Sequence, residues 1–159
     1  MPPVIKQIAE VALVVSDLER SRRFYREVLG LKEFDYPALK PGTGVTFHLA
    51  NGYLGLWLPG EWKKINPHIP GPEGNLSGKA HIVFYIDPAE EEEALNTLRN
   101  HQVKFWGPRY HHENEPNADV HIDFEDPDGH LLEYIAMLED EPRPDDGVMT
   151  WRAWQLRRG

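Results

Sequence analysis

Val120-His-Ile-Asp-Phe-Glu-Asp-Pro-Asp-Gly-His-Leu-Leu-Glu-Tyr-Ile-Ala-Met137 decides how this chain folds. It reads as two strands joined by a tight turn at Asp126-Pro-Asp-Gly129. Pro127 presets φ for the first central turn position, and Gly129 supplies a positive φ at the exit. Alternation puts His121, Asp123 and Glu125 on one face and Val120, Ile122 and Phe124 on the other. After the turn Leu131, Glu133, Ile135 and Met137 share a face, with Leu132, Tyr134 and Ala136 behind. Glu133 therefore sits mid-strand among apolar neighbours. A carboxylate there needs a partner, because an isolated buried charge is very costly. We read that partner as a metal ion.

Upstream, Ile8 to Val15 is an apolar run broken only by Glu10, the pattern of a strand buried on both sides. Ser16-Asp-Leu-Glu19 fits a capping box with Ser16 as N-cap. The helix it opens is predicted to run to about Leu29, with Leu18, Phe24, Tyr25, Val28 and Leu29 as its apolar stripe. Glu19, Arg20, Arg22, Arg23 and Arg26 form its wet face, and Gly30 is a C′ candidate. A second strand begins over 31–34. Val45 to Leu49 and Tyr53 to Leu58 are strands around a hairpin turn at Ala50-Asn-Gly52. Residues 59–78 hold four prolines and four glycines, which fits a linker between modules or a loop over a pocket.

The opening pattern then returns. Ala80 to Ile86 is an apolar strand with one polar intruder, His81. Asp87-Pro-Ala-Glu90 follows, with Asp87 as N-cap, Pro88 at N1 and Glu90 at N3. The negative run Glu90 to Glu93 suits the first turn of a helix dipole, and that helix is predicted to end near Asn100. Val103 to Trp106 reads as a short strand and 107–118 as a polar loop. Beyond residue 138, 139–159 is an extension: an acidic, proline-rich connector, then Val148 to Leu156 with Trp151 and Trp154, either an extra strand or a short helix.

Adding 71 carries Glu10 to His81, Ser16 to Asp87 and Glu19 to Glu90. Gly52 and Gly129 differ by 77, an offset that carries Leu56 onto Glu133. Each half thus reads strand-helix-strand-strand-strand, and neither can bury its sheet alone. The predicted class is α+β: two βαβββ modules, about 6–58 and 79–138, forming a curved mixed sheet around a cavity within a single domain over 6–138.

At 159 residues, 40% of them apolar, the chain can build such a core. Its net charge of −9 argues against nucleic acid and anionic membranes as partners. With no cysteine, a metal must be held by His, Asp or Glu. No secretory leader is expected at Met1-Pro-Pro-Val-Ile-Lys6, and no run reaches 18 apolar residues. A cytoplasmic protein is the expectation.

The repeat resembles the vicinal oxygen chelate superfamily, which includes glyoxalase I, bleomycin-resistance proteins, extradiol dioxygenases, methylmalonyl-CoA epimerase and fosfomycin-resistance thiol transferases. The resemblance is carried by Val11 to Ser21 with Phe24-Tyr25 and Leu29-Gly-Leu31, and by Asp126-Pro-Asp-Gly-His-Leu-Leu-Glu133. It implies a divalent ion in the cup of the sheet, held here by Glu10, His81 and Glu133. Glu10 departs from the His or Gln usual at its position and can equally pair with a neighbouring Arg or Lys. Taken alone, His81 would read as a hydrogen-bonded rim histidine. A fourth ligand, as in glyoxalase I, would fall at Leu54 or Leu56, which cannot bind metal. Mn²⁺, Fe²⁺, Ni²⁺ and Zn²⁺ all suit the donor set.

Strand parity places His48, Tyr85, His121 and Asp123 on the same concave surface. His121 is the leading acid/base candidate, since its unperturbed pKa lies near neutrality, with Tyr85 beside it as the second catalytic candidate. His111 and His112, next to Tyr110, are loop residues that can reach the cavity mouth. Two functions follow from the resemblance. One is a metal-dependent enzyme acting on a small oxygen-rich substrate by lyase, isomerase, dioxygenase or transferase chemistry. The other is a drug- or small-molecule-binding protein without catalysis, for which an acidic surface suits a cationic ligand. Thiol transfer to fosfomycin is disfavoured, because Ala12 replaces an expected hydroxyl residue and the basic substrate-binding residues lack a clear counterpart. A homodimer is implied, with the modules pairing within one chain or across two.

Overall fold

The computed structural model describes residues 6–35, 42–61, 64, 78–111, 119–138, 149–150 and 156; the side chains of 110, 111, 149 and 150 are not among the described parts. The chain divides into two compact units, 1–79 and 80–159. Trp151, Trp154, His112 and most of 59–78 lie outside the described residues.

The first unit is β1 (Glu10–Val14), α1 (Leu18–Glu27), β2 (Glu33–Phe34), β3 (Gly44–Leu49) and β4 (Gly52–Trp57). Its sheet runs β1-β4-β3-β2, with β1 and β4 parallel and the remaining pairs antiparallel. Helix α1 packs on β3 and β4. Its buried Phe24 and Tyr25 join Leu13, Phe47, Leu54 and Leu56 in the core, and the Tyr25 ring lies 6.0 Å from that of Phe47. Each such side chain contributes about 1.5–3 kcal/mol by leaving water.

The N-cap of α1 is Asp17, not Ser16. The Asp17 side chain accepts from the Arg20 N–H, while the Ser16 hydroxyl accepts from the Arg20 guanidinium instead. Asp serves at least as well as Ser at this position, so the cap moves one residue on. The helix also stops at Glu27, two residues before the predicted end, with Val28 as C-cap and Gly30 at φ +67°. Arg22, read as merely wet, grips Glu33 of β2 through Nε and Nη2 at 2.7–2.9 Å. The hydrogen bonds it donates to the Glu33 and Glu19 carboxylates raise its pKa.

The second unit is β5 (His81–Tyr85), a 3₁₀ turn (Pro88–Glu90), α2 (Glu91–Asn100), β6 (Phe105–His111), β7 (Asp119–Glu125), β8 (Leu131–Met137) and β9 (Met149–Thr150). The order is β5-β8-β7-β6-β9, with only β5 and β8 parallel. Asp87 forms the predicted capping box with Glu90. The turn after β7 also forms as predicted. Gly129 adopts φ +79°, and the buried Asp126 carboxylate accepts from the Asp128 and His130 N–H groups. Buried His130 accepts from the Ala80 N–H at 3.1 Å, which pins the start of β5 beside β8.

Residues 107–111, predicted as loop, extend β6 instead. A bulge between Trp106 and Arg109 absorbs the Gly-Pro pair that reads as a breaker. Residues 149–150 are strand, so the tail supplies an edge to β6. Among the described residues no helix is long and apolar enough to cross a membrane.

Glu91, in the first turn of α2, is buried. Burial, with a smaller contribution from Glu92, raises its carboxyl above the ordinary 4.5. The folded state thus binds this proton more tightly than the unfolded chain. The associated stability is full below the unfolded value and is lost as pH rises through the folded one. Glu91→Gln should raise the unfolding temperature at pH 7, and the gain should vanish below about pH 4; thermal melts at the two pH values check this.

Candidate metal centre

One face of each sheet is lined by residues in register. In the second unit the parallel pairing sets Val83 opposite Glu133, and the antiparallel pairing sets Asp123 opposite Glu133 and His121 opposite Ile135. The buried rows Val120, Ile122, Phe124 and Leu132, Tyr134, Ala136 point the other way. Tyr134 among them is pushed up to about 12 by burial.

Glu133 is 6% exposed and its carboxylate is held at both oxygens. Oε2 lies 2.9 Å from His81 Nε2, and Oε1 is hydrogen-bonded to His121 Nδ1. The other nitrogen of His121, Nε2, lies 2.8 Å from Oδ1 of buried Asp119. Asp123 accepts from Arg109 Nη2. Donor atoms of His81, Asp123 and Glu133 all fall within 4.8 Å of one another.

This donor set fits a divalent ion. Two carboxylates offset the charge, and one imidazole adds a nitrogen. The 2.9 Å between His81 Nε2 and Glu133 Oε2 is also the separation of two neighbouring ligands bound at about 2.1 Å and roughly right angles. Asp123, predicted as cavity lining, thus joins the cluster itself.

Glu10 stands at the start of β1 in the first unit, where Oε2 accepts from the Tyr53 hydroxyl at 2.9 Å. Among its described residues that unit carries no matching cluster. Tyr53 pairs with Glu10 as Leu131 pairs with His81, so the true offset on the last strand is 78 and not 77. The place of Glu133 is taken by Gly55, rather than by Leu54 or Leu56. The sequence offset failed because Gly52 begins β4 whereas Gly129 belongs to a longer turn. A Cβ on Gly55 would lie 2.8 Å from Nε1 of Trp57, an indole nitrogen that is buried with no hydrogen-bond partner. The place of Asp123 is taken by Thr46, whose hydroxyl donates to the Phe34 carbonyl.

His48 is exposed on the same face of the first unit, stacked on Phe34 with centroids 4.3 Å apart. Tyr85 shares a face with His81 and is 78% exposed. His111 ends β6 opposite Asp119, with its side chain outside the described parts, as is all of His112.

Sequence reasoning missed two members of the polar network. Asp119 continues the alternation of His121 and Asp123, one residue before the stretch read as strand. Arg109 was hidden by the bulge, which brings both Trp106 and Arg109 opposite the residues of the polar face.

A family model described as the Glyoxalase/Bleomycin resistance protein/Dioxygenase superfamily matches residues 7–134. The metallothiol transferase FosB of Staphylococcus haemolyticus is 30% identical over 138 residues, covering 86% of this chain and 88% of that protein. A lactoylglutathione lyase structure from Agrobacterium tumefaciens is 29% identical with a TM-score of 0.65, over 86% of this chain and 96% of that one. A glyoxalase/bleomycin resistance protein/dioxygenase from Nocardioides is 26% identical with a TM-score of 0.65, over 89% of each chain.

The bulge that aims Arg109 depends on Gly107, which has φ +108° and would bring a Cβ to 2.7 Å from the His121 carbonyl oxygen. Gly107→Ala should cost about 1–3 kcal/mol, read as a lower urea midpoint.

Proposed function

The chain belongs to the glyoxalase/bleomycin resistance protein/dioxygenase superfamily, and we propose that it is a metal-dependent enzyme whose ion is held on the second module by His81 and Glu133, with Asp123 at its border. The observation that carries this reading is the convergence of those three side chains within 4.8 Å. Glu10, the ligand implied in the first module, belongs to the proposal on sequence grounds alone. Mn²⁺, Fe²⁺, Ni²⁺ and Zn²⁺ are the ions the donors admit.

A bound divalent ion supplies Lewis acidity toward a carbonyl or phosphoryl oxygen, or a bound water of lowered pKa. The chain's own residues do the rest. His81 and Glu133 fix the place where substrate oxygens gather. Arg109, already paired with Asp123, holds that carboxylate toward the same face. Val83, Tyr85 and Trp106, all partly exposed, line the sheet beside it and offer apolar surface to a small molecule.

The substrate class we propose is a small molecule whose neighbouring oxygens can share the ion. The similar proteins near 30% identity are named for thiol chemistry, a metallothiol transferase and a lactoylglutathione lyase. Adducts of small thiols are therefore the first substrates to assay. Fosfomycin is set aside, since Ala12 offers no hydroxyl. A second reading, binding without catalysis, is supported by the net charge of −9, which suits a cationic ligand.

Metal analysis of the protein purified without added ions should find about one divalent ion per chain. His81→Ala and Glu133→Ala should each abolish it. Glu10→Ala should lower it if the implied third ligand is correct. Metal-free wild-type protein that also shows no thermal shift with Mn²⁺, Ni²⁺ or Zn²⁺ would sink the enzyme reading and favour the binding one.

Thiol-adduct chemistry predicts metal-dependent turnover of a small-thiol adduct that carries neighbouring oxygens, with none of fosfomycin plus thiol. Absorbance and chromatographic assays read both. Turnover of fosfomycin would overturn the assignment drawn from Ala12.

A further inference from the structure

Asp119 has no part in the metal cluster, yet it is 1% exposed and carries a carboxylate. Its hydrogen-bonded neighbour on the same face of β7 is His121, two residues on, through Nε2 at 2.8 Å. The other nitrogen of that ring is committed to Glu133 Oε1. Both nitrogens of the His121 ring thus lie against carboxylate oxygens, one of Glu133 and one of Asp119, so the ring is engaged on both sides within the protein.

We infer that Asp119 and His121 form a positioning pair for the metal ligand Glu133: Asp119 fixes the ring of His121, and the ring fixes the carboxylate so that Oε2 faces His81. The inference rests on the metal reading above and gives His121 a role different from proton transfer. The geometry requires both halves. Without His121, Oε1 of a carboxylate that is 6% exposed loses its partner, and the group can rotate about its terminal torsion, which is broad. Without Asp119, the His121 ring loses the contact that chooses its orientation. Hydrogen-bonded supports of this kind typically change metal affinity by about 10–100-fold.

Co²⁺ is the probe: its dissociation constant is measured by chelator competition on metal-stripped full-length protein, with its visible absorption recorded and the metal-free forms melted in parallel. Asp119→Ala and His121→Phe should each weaken Co²⁺ by about 10–100-fold. The double variant should be no weaker than His121→Phe, because Asp119 acts through the ring. Asp119→Asn, which keeps a hydrogen-bonding partner on Nε2, should recover most of the loss. The shape of the absorption spectrum should persist throughout, since no ligand is removed.

Wild-type binding with unchanged affinity in Asp119→Ala overturns the inference and leaves the metal reading intact; so does a lowered melting temperature with no change in affinity. Failure of Asp119→Asn to recover affinity also overturns it. A changed spectrum in His121→Phe does the same by making His121 a ligand, and this variant keeps the test alive if Asp119→Ala does not fold. Wild-type protein that takes up no Co²⁺ removes the metal reading and this inference together.

Discussion

A carboxylate taken out of water must be met by donors or by positive charge, and Glu133 is the point where this fold meets that demand. Its oxygens are divided between two imidazoles from two different strands. Parallel pairing of β5 with β8 delivers His81, and antiparallel pairing of β7 with β8 delivers His121. The parallel pairing has its own anchor, the buried ring of His130 accepting from the Ala80 N–H. The turn that places His130 is in turn held by the buried Asp126. A slip of one residue in either pairing would send Glu133 or a histidine to the apolar side. Register, turn chemistry and the polar cluster are thus one constraint seen at three scales.

Much of this was legible in the residues. Period-two alternation over Val120 to Met137 placed His121, Asp123 and Glu133 on one face, and the turn at Asp126 to Gly129 formed as its proline and glycine indicate. The returning strand and capping box set His81 at the start of β5. What escaped has specific causes. Gly107-Pro108 looks like a break in a chain read residue by residue, whereas a bulge absorbs it and re-aims Arg109. Asp119 lay one position outside the apparent strand. The one-residue error in matching Glu133 to the first half came from equating two glycines with different jobs. Gly52 permits β4 to approach Ala9, whose carbonyl oxygen would be 2.4 Å from a Cβ; Gly129 supplies a left-handed turn residue.

The halves share a topology and little of their chemistry. Of the polar residues gathered around Glu133, the described residues of the first unit keep a metal donor only at Glu10. At the equivalent of Asp123 stands Thr46, spent on a backbone carbonyl. Around Glu10 the first unit instead builds an aromatic surface, with Tyr53 on the carboxylate and Phe34 between Tyr53 and His48.

Trp57 locks this asymmetry in place by packing against Gly55. Its indole nitrogen lies where any side chain on Gly55 would begin. A single substitution that put an acid at 55 would collide with the ring, and shrinking the ring alone would open a void with nothing to fill it. Either step by itself is unfavourable, so placing an acid at 55 requires both positions to be altered together.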